Sequence, residues 1–168
     1  RLRRIKQLGM SHMVYPGALH TRFHHVIGAM HLMTHAINVI RKKGHEITTT
    51  EERAVLVAIL LHDIGHGPFS HALEHDIVKG ISHEQISHYF IQALKADFPD
   101  NTSDLDCTLS IFDNSYPKKF LHQLVSSQLD MDRLDYLTRD SFFTGVSEGI
   151  VGTERIIEML NVHNDQLV

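Results

Sequence analysis

The sequence has a single cysteine, Cys107, among its 168 residues. One thiol excludes an internal disulfide framework and a zinc site built from several cysteines, so any metal ion must be held by nitrogen and oxygen atoms. The chain also has no apolar run near the roughly 20 residues that a membrane-spanning helix needs, and no signal peptide is visible. We therefore expect a soluble cytoplasmic protein without a membrane partner.

An excess of positive charge is also missing, because 16 lysines and arginines are set against 20 aspartates and glutamates, which gives a formal net charge of −4. Proteins that bind nucleic acid through its phosphates need a broad basic surface that displaces counterions. Nucleic acid is therefore not expected as the main partner. The composition does supply 42% hydrophobic residues, enough for a core, and 15 histidines that offer nitrogen ligands.

Sustained alternation of apolar and polar residues, the pattern of a half-buried strand, is absent, so the predicted fold is all-α. Capping residues and apolar spacings of three and four residues mark the helices. The predicted helices cover about 21–43, 48–62, 83–96, 104–114, 117–125, 128–140 and 153–160. No internal repeat, low-complexity tract or interdomain linker divides the chain, which predicts a single domain over residues 1–168.

A buried polar cluster is predicted directly after the apolar run 54–61. Every residue of this run is apolar, so the run is buried whether it is helix or strand, and it carries His62 and Asp63 into the interior. An ionised carboxylate is costly to bury unless a cation, such as a divalent metal ion, pairs with it. The turn that follows brings His66 and His71 back over this pair. The alternative is a helix end with a few solvated polar groups.

The segment 128–140 carries a second candidate surface. On a helix, Asp132, Tyr136 and Asp140 share one face at intervals of four residues, with Asp135 and Arg139 beside them. The alternative is an ordinary charged outer face on which Asp135 and Arg139 form a local ion pair.

Five ordered stretches span most of the chain: RLRRIKQLG at 1–9, VYPGALHTRFHH at 14–25, LLHDIGHGPFSH at 60–71, SHEQIS at 82–87 and LDMDRLDYLTRD at 129–140. Together they resemble the HD-domain metal-dependent phosphohydrolases. The closer resemblance is to the deoxynucleoside triphosphate triphosphohydrolase branch, which includes the mammalian enzyme that carries a SAM domain. This resemblance implies an HD-domain helical bundle with a central metal site.

The same resemblance implies that four residues bind a divalent metal ion: His25, His62, Asp63 and Asp132. Two imidazoles and two carboxylates suit manganese, iron, magnesium, nickel or zinc, so the ligand set does not identify the metal.

Ten further residues receive roles from the resemblance. In substrate binding, the two arginines Arg22 and Arg133 contact phosphates. Tyr136 packs against the deoxyribose, Gln7 and Leu8 face the sugar, and Asp140 is a further substrate-binding residue. Leu8 is expected to exclude a ribose 2′-hydroxyl. The catalytic surround is His66, His71, His83 and Glu84. Within it, His71 is expected to transfer the proton to the leaving group with help from His66 or His83, while Glu84 orients an imidazole.

The implied reaction is hydrolysis of a deoxynucleoside triphosphate to the deoxynucleoside and triphosphate, in a homo-oligomer with a nucleotide effector. One alternative is an HD-domain hydrolase of another nucleotide or phosphoester, such as a nucleoside monophosphate. Another is a catalytically silent nucleotide-binding or oligomerisation module, although the presence of all four implied ligands argues against it. We further expect the chain to be a portion of a longer protein, because it begins inside a family motif.

Overall fold

The computed structural model describes residues 1–69 and 80–168, and these residues form an all-α fold with one small strand pair. The helices of the described ranges are α1 (Arg22–Lys42), α2 (Thr49–Leu61), α3 (His83–Asp97), α4 (Thr102–Phe112), α5 (Lys119–Val125), α6 (Met131–Thr144) and α7 (Thr153–Met159). The strands β1 (Val162–His163) and β2 (Gln166–Leu167) pair antiparallel. The all-α prediction is confirmed, and the strand pair was not predicted.

The helix starts follow local capping signals. Thr48 accepts a hydrogen bond from the backbone of Glu51 at 3.2 Å, while the Glu51 carboxylate accepts one from the backbone of Thr48 at 2.8 Å. A similar reciprocal pair joins Ser82 and Gln85 at the start of α3. The α6 helix begins at Met131 because the Asp130 carboxylate caps it by accepting a hydrogen bond from the backbone of Arg133 at 2.7 Å.

The α2 helix lies between two apolar clusters, which explains why its sequence is apolar on every side. Ala54, Val55, Ala58 and Ile59 are fully buried in the main core with residues of α1, α5 and α6. The opposite side of α2 contacts a smaller cluster of α3 and α4 that contains Ile91. Burial on both sides fixes the position of the C-terminal end of α2, where the predicted polar cluster begins.

Three further contacts assemble the elements around this end of α2. The α1 helix packs against both α2 and α6. The N-terminal segment runs antiparallel to the residues before α1, through a bridge between Lys6 and Thr21 and a hydrogen bond from the Gln7 backbone to the His20 carbonyl at 3.0 Å. The start of α1, the end of α2 and the start of α6 therefore meet beside the N-terminal segment. No helix of the two described ranges is long and apolar enough to cross a membrane.

Candidate metal centre and substrate cavity

Four potential metal-ligand side chains converge where α1, α2 and α6 meet. His25, His62 and Asp63 each place a ligand atom within 4.8 Å of the others. Asp132 Oδ1 lies 2.9 Å from His25 Nε2 and 3.3 Å from His62 Nε2. The structure thus brings together all four residues that the resemblance implied as ligands, from α1, α6 and the turn that follows α2.

The imidazoles of this cluster have the geometry of metal ligands. The Nδ1–H group of His62 donates to the Ile59 carbonyl at 2.6 Å, and that of His25 donates to Asp135 Oδ2 at 2.7 Å. Neither buried Nε2 atom makes a hydrogen bond within the described residues. When the imidazoles are neutral and each Nδ1 carries the proton, each Nε2 presents its lone pair beside the carboxylates, as a metal-bound imidazole requires. The donor set therefore fits a divalent metal ion.

The charges at the cluster are strongly coupled. Burial raises the carboxyl pKa of both Asp63 and Asp132, but the neighbouring imidazoles outweigh this effect and lower both values. Burial lowers the pKa of His62, but Asp63 and Asp132 raise it to about 9. The pKa of His25 is also raised, because Asp132 and Asp135 outweigh its burial. The two carboxylates therefore require cationic charge, which either protons or a metal ion can supply.

A cavity of about 790 Å³ opens over this cluster. Eleven of the predicted site residues line it, namely Gln7, Leu8, Arg22, His62, Asp63, His66, His83, Glu84, Asp132, Tyr136 and Asp140. His25 is fully buried behind the other ligands. Arg133 is exposed on α6 and is not among the residues that line the cavity. His71 lies outside the described residues.

Arg22 is the basic group of the cavity that lies nearest to the ligands. Its side chain is almost completely buried and its Nη1 donates to Asp63 Oδ2. This ion pair holds one carboxylate of the cluster while Arg22 still lines the cavity. Arg22 is thus placed to meet an anionic group that approaches the metal centre.

Two stacked imidazoles form another wall of the cavity. The rings of His66 and His83 lie 3.9 Å apart, and His66 Nε2 is 3.3 Å from Asp63 Oδ1. Burial lowers the pKa of His66 to about 4, an effect to which the charge of Arg22 adds. His66 is consequently neutral at pH 7 and acts there as a hydrogen-bonding group rather than as a proton donor.

A close contact between the turn after α2 and α3 places this wall. The Gly65 backbone donates to Ser87 Oγ at 2.9 Å, and the same hydroxyl donates to the His62 carbonyl at 2.7 Å. A Cβ atom at Gly65 would lie 2.0 Å from the His83 carbonyl oxygen. Only glycine therefore allows α3 to approach closely enough for His83 and Glu84 to line the cavity above the metal ligands.

Sequence reasoning missed the part that Asp135 plays. Arg139 does form the local pair with Asp135 that was the alternative interpretation, through contacts of 2.9 and 2.7 Å. However, Asp135 also accepts the hydrogen bond from His25, 110 positions earlier. The helical spacing signals the ion pair, but no pattern in the sequence signals the contact with His25.

Other functional candidates also came only from the structure. His20 is buried, stacks on Phe143 and lies 2.7 Å from Asp140 Oδ1, so it holds a residue that lines the cavity. The far side of the cavity is formed by side chains of α3, α4 and α5 and their ends, including His88, Tyr89, Phe112, Asp113, Asn114 and His122. These residues come from separate elements, so sequence spacing could not group them.

Comparison with known proteins identifies the family. The family model described as "HD domain" matches residues 22–140, which include all four candidate ligands. Over the whole chain, the sequence is 38% identical to the uncharacterized protein YwfO of Bacillus subtilis. It is 34% identical, over 99% of its length, to a Dictyostelium discoideum protein named as a homolog of the deoxynucleoside triphosphate triphosphohydrolase SAMHD1.

A solved structure extends this similarity to the fold. The crystal structure of a phosphohydrolase from Bacteroides thetaiotaomicron matches the whole chain with a TM-score of 0.94 at 57% sequence identity. The chain spans 39% of YwfO, 35% of the Dictyostelium protein and 41% of the Bacteroides chain. The match therefore concerns less than half of the length of each of these proteins.

Proposed function

The chain belongs to the HD-domain family, and we propose that it forms the catalytic part of a metal-dependent hydrolase that cleaves deoxynucleoside triphosphates into deoxynucleoside and triphosphate. The observation that carries this proposal is one cavity that combines a four-ligand metal cluster, a buried arginine and the residues expected to face a deoxyribose. The name of the Dictyostelium relative supports the choice of substrate.

The charge of the cavity makes substrate binding depend on metal. Of the described residues that line it, Arg22 alone is a lysine or an arginine. The carboxylates of the lining are Asp63, Glu84, Asp113, Asp132 and Asp140. A triphosphate carries about four negative charges, so a divalent cation at the cluster has to offset much of the repulsion. We propose that Arg133 supplies a further positive charge from the edge of the site.

The proposed reaction breaks the bond between the α-phosphorus and the 5′-oxygen. A water oxygen forms the new bond to phosphorus, one water proton is removed, and the leaving 5′-oxygen takes up a proton. A divalent ion at the four ligands supplies Lewis acidity toward phosphate and lowers the pKa of water towards about 7. Arg22 orients the phosphate, and His71 donates the proton, with His83 assisting.

The sugar end of the substrate is assigned to the N-terminal segment and α6. Leu8 is half-buried and lines the cavity with Gln7, Tyr136 and Asp140. We propose that Tyr136 packs against the deoxyribose and that the bulk of Leu8 excludes a ribose 2′-hydroxyl, which would also lose its hydrogen bonds to water against this apolar side chain.

The deciding experiment supplies the full-length protein with each deoxynucleotide and ribonucleotide in turn, with manganese, iron, magnesium, nickel or zinc. We expect equimolar deoxynucleoside and triphosphate from deoxynucleoside triphosphates, measured by ion-exchange chromatography. In ¹⁸O-labelled water the label should enter the triphosphate. Release of pyrophosphate or orthophosphate instead would contradict the proposed bond cleavage. Pairs of nucleotides, with the oligomeric state measured by light scattering, test the proposed effector and homo-oligomer.

Hydrolysis of a nucleoside monophosphate is a second candidate function. The described residues that line the cavity include one arginine and no lysine, which favours this candidate, because one phosphate needs less positive charge than three. The same nucleotide panel separates the two, since this activity would release orthophosphate and spare triphosphates. Metal binding without hydrolysis of any nucleotide would instead favour a silent binding module.

A further inference from the structure

Asp135 lies behind the metal centre rather than in the cavity. Its Oδ2 atom accepts the hydrogen bond from His25 Nδ1 at 2.7 Å, on the side of the ring opposite to the ligand atom Nε2. Asp135 is 6% exposed, His25 is completely buried, and neither residue lines the cavity. Asp135 therefore acts on the metal centre only through His25.

Arg139 holds the Asp135 carboxylate with both of its oxygens engaged. Arg139 Nε donates to Oδ2 at 2.9 Å and Nη2 donates to Oδ1 at 2.7 Å. The two hydrogen bonds from Arg139 thus hold the carboxylate in one orientation, in which it accepts the hydrogen bond from His25 Nδ1–H and excludes the other tautomer.

Gly28 leaves the space that this pair occupies. It lies inside α1, one turn after His25, where glycine is ordinarily less stable than alanine. A Cβ atom at position 28 would lie 2.0 Å from both Arg139 Nη2 and Asp135 Oδ1. These atoms are the ends of side chains, so an alanine would be accommodated only if the ion pair moved away from its present position.

We propose that Gly28, Asp135 and Arg139 form a positioning unit that fixes the tautomer and orientation of His25 and thereby sets the affinity of the site for its metal ion. The part of this unit in turnover rests on the proposed metal-dependent function, whereas its part in metal binding does not. If Asp135 and Arg139 were merely a pair that stabilises α6, their loss would lower the unfolding temperature and leave metal affinity unchanged.

The first test compares Asp135→Asn with Glu51→Gln in the full-length protein. Glu51 is an equally buried carboxylate with several hydrogen-bond partners, but it does not line the cavity or contact a metal ligand. We expect manganese affinity, measured by titration calorimetry, to fall about 10–100-fold for Asp135→Asn and to stay unchanged for Glu51→Gln. Equal manganese affinity of Asp135→Asn and the wild-type protein would overturn the proposal.

The second test uses Gly28→Ala, which adds one methyl group and removes no polar group. We expect the manganese affinity of this variant to fall at least about tenfold, which is the lower end of the range expected for loss of a group that orients a metal ligand. In an Asp135→Ala background the added methyl group meets no carboxylate, so Gly28→Ala should cause no further loss there. Thr34→Ala on the exposed side of α1 is the matched control. Wild-type affinity in Gly28→Ala would refute the steric part of the argument.

The outcome is separable from that of the proposed function. A protein that binds manganese through this unit but hydrolyses no deoxynucleoside triphosphate would leave the positioning unit intact and refute the substrate. A protein that hydrolyses the substrate but keeps full manganese affinity in both Asp135→Asn and Gly28→Ala would refute the positioning unit alone.

Discussion

Metal binding at neutral pH should release a proton from His62. The pKa of this imidazole is lowered by burial but raised to about 9 by Asp63 and Asp132, so at pH 7 the protonated form exceeds the neutral form about 100-fold. A metal ion binds the neutral imidazole and has to displace that proton. Release of this one proton should therefore increase manganese affinity by about tenfold, or about 1.4 kcal/mol, between pH 7 and pH 8, and any proton released by His25 adds to that increase.

The assay is calorimetric titration with manganese in buffers of equal pH and different ionisation enthalpy. We expect about one proton per ion from His62 at pH 7, and an additional contribution from His25, whose pKa is also raised. A His45→Gln variant is the control, because His45 contacts Asn161 and does not line the cavity. An affinity that is constant between pH 7 and 9, with no dependence of the heat on the buffer, would refute the electrostatic argument.

Three further predictions concern single residues. Asp132→Asn should weaken metal binding while α6 persists, because Asp130 rather than Asp132 caps that helix; unchanged metal content with an unchanged circular dichroism spectrum would remove Asp132 from the ligand set. His71→Ala should keep its metal, measured by elemental analysis, and lose most turnover, so full activity would exclude its proposed role. Glu51→Gln should cost about 1–3 kcal/mol of unfolding free energy at pH 7. The pKa of Glu51 is raised by burial but lowered overall by the Thr48 backbone and Lys118, so this difference should vanish as pH falls below the usual carboxyl range; a difference that persists in acid denaturation curves would contradict it.

The metal ligands and the residues that orient them come from distant parts of the chain, which meet because α1 packs against both α2 and α6. His25 donates its Nδ1–H hydrogen bond to the side chain of Asp135 on α6, whereas His62 donates to the backbone carbonyl of Ile59 in the preceding helix α2. The two ligands therefore differ in how their orientation is fixed. Substitution of a single side chain can disturb the support of His25, whereas the support of His62 belongs to the backbone.

Local signals in the sequence predicted most of the helices. The caps at Thr48 and Ser82 act within four residues, so their hydrogen bonds could be anticipated without tertiary contacts. The start of the last long helix at Met131 was not predicted, although the Asp130 cap that sets it also acts within three residues. The pair β1 and β2 was missed because two-residue strands carry no detectable alternation.

The sequence by itself determined that an imidazole and a carboxylate, His62 and Asp63, would follow a helix buried on all sides, because apolarity around the whole helix leaves no face for water. The sequence also carried the five motifs that indicate the family. Each motif is a continuous stretch of residues, so it can be read without knowledge of the fold. Only the tertiary structure decided which distant groups support those motifs. The contact of Asp135 with His25 and the space provided by Gly28 depend on how α1 crosses α6, and that crossing is set by packing between residues more than 100 positions apart.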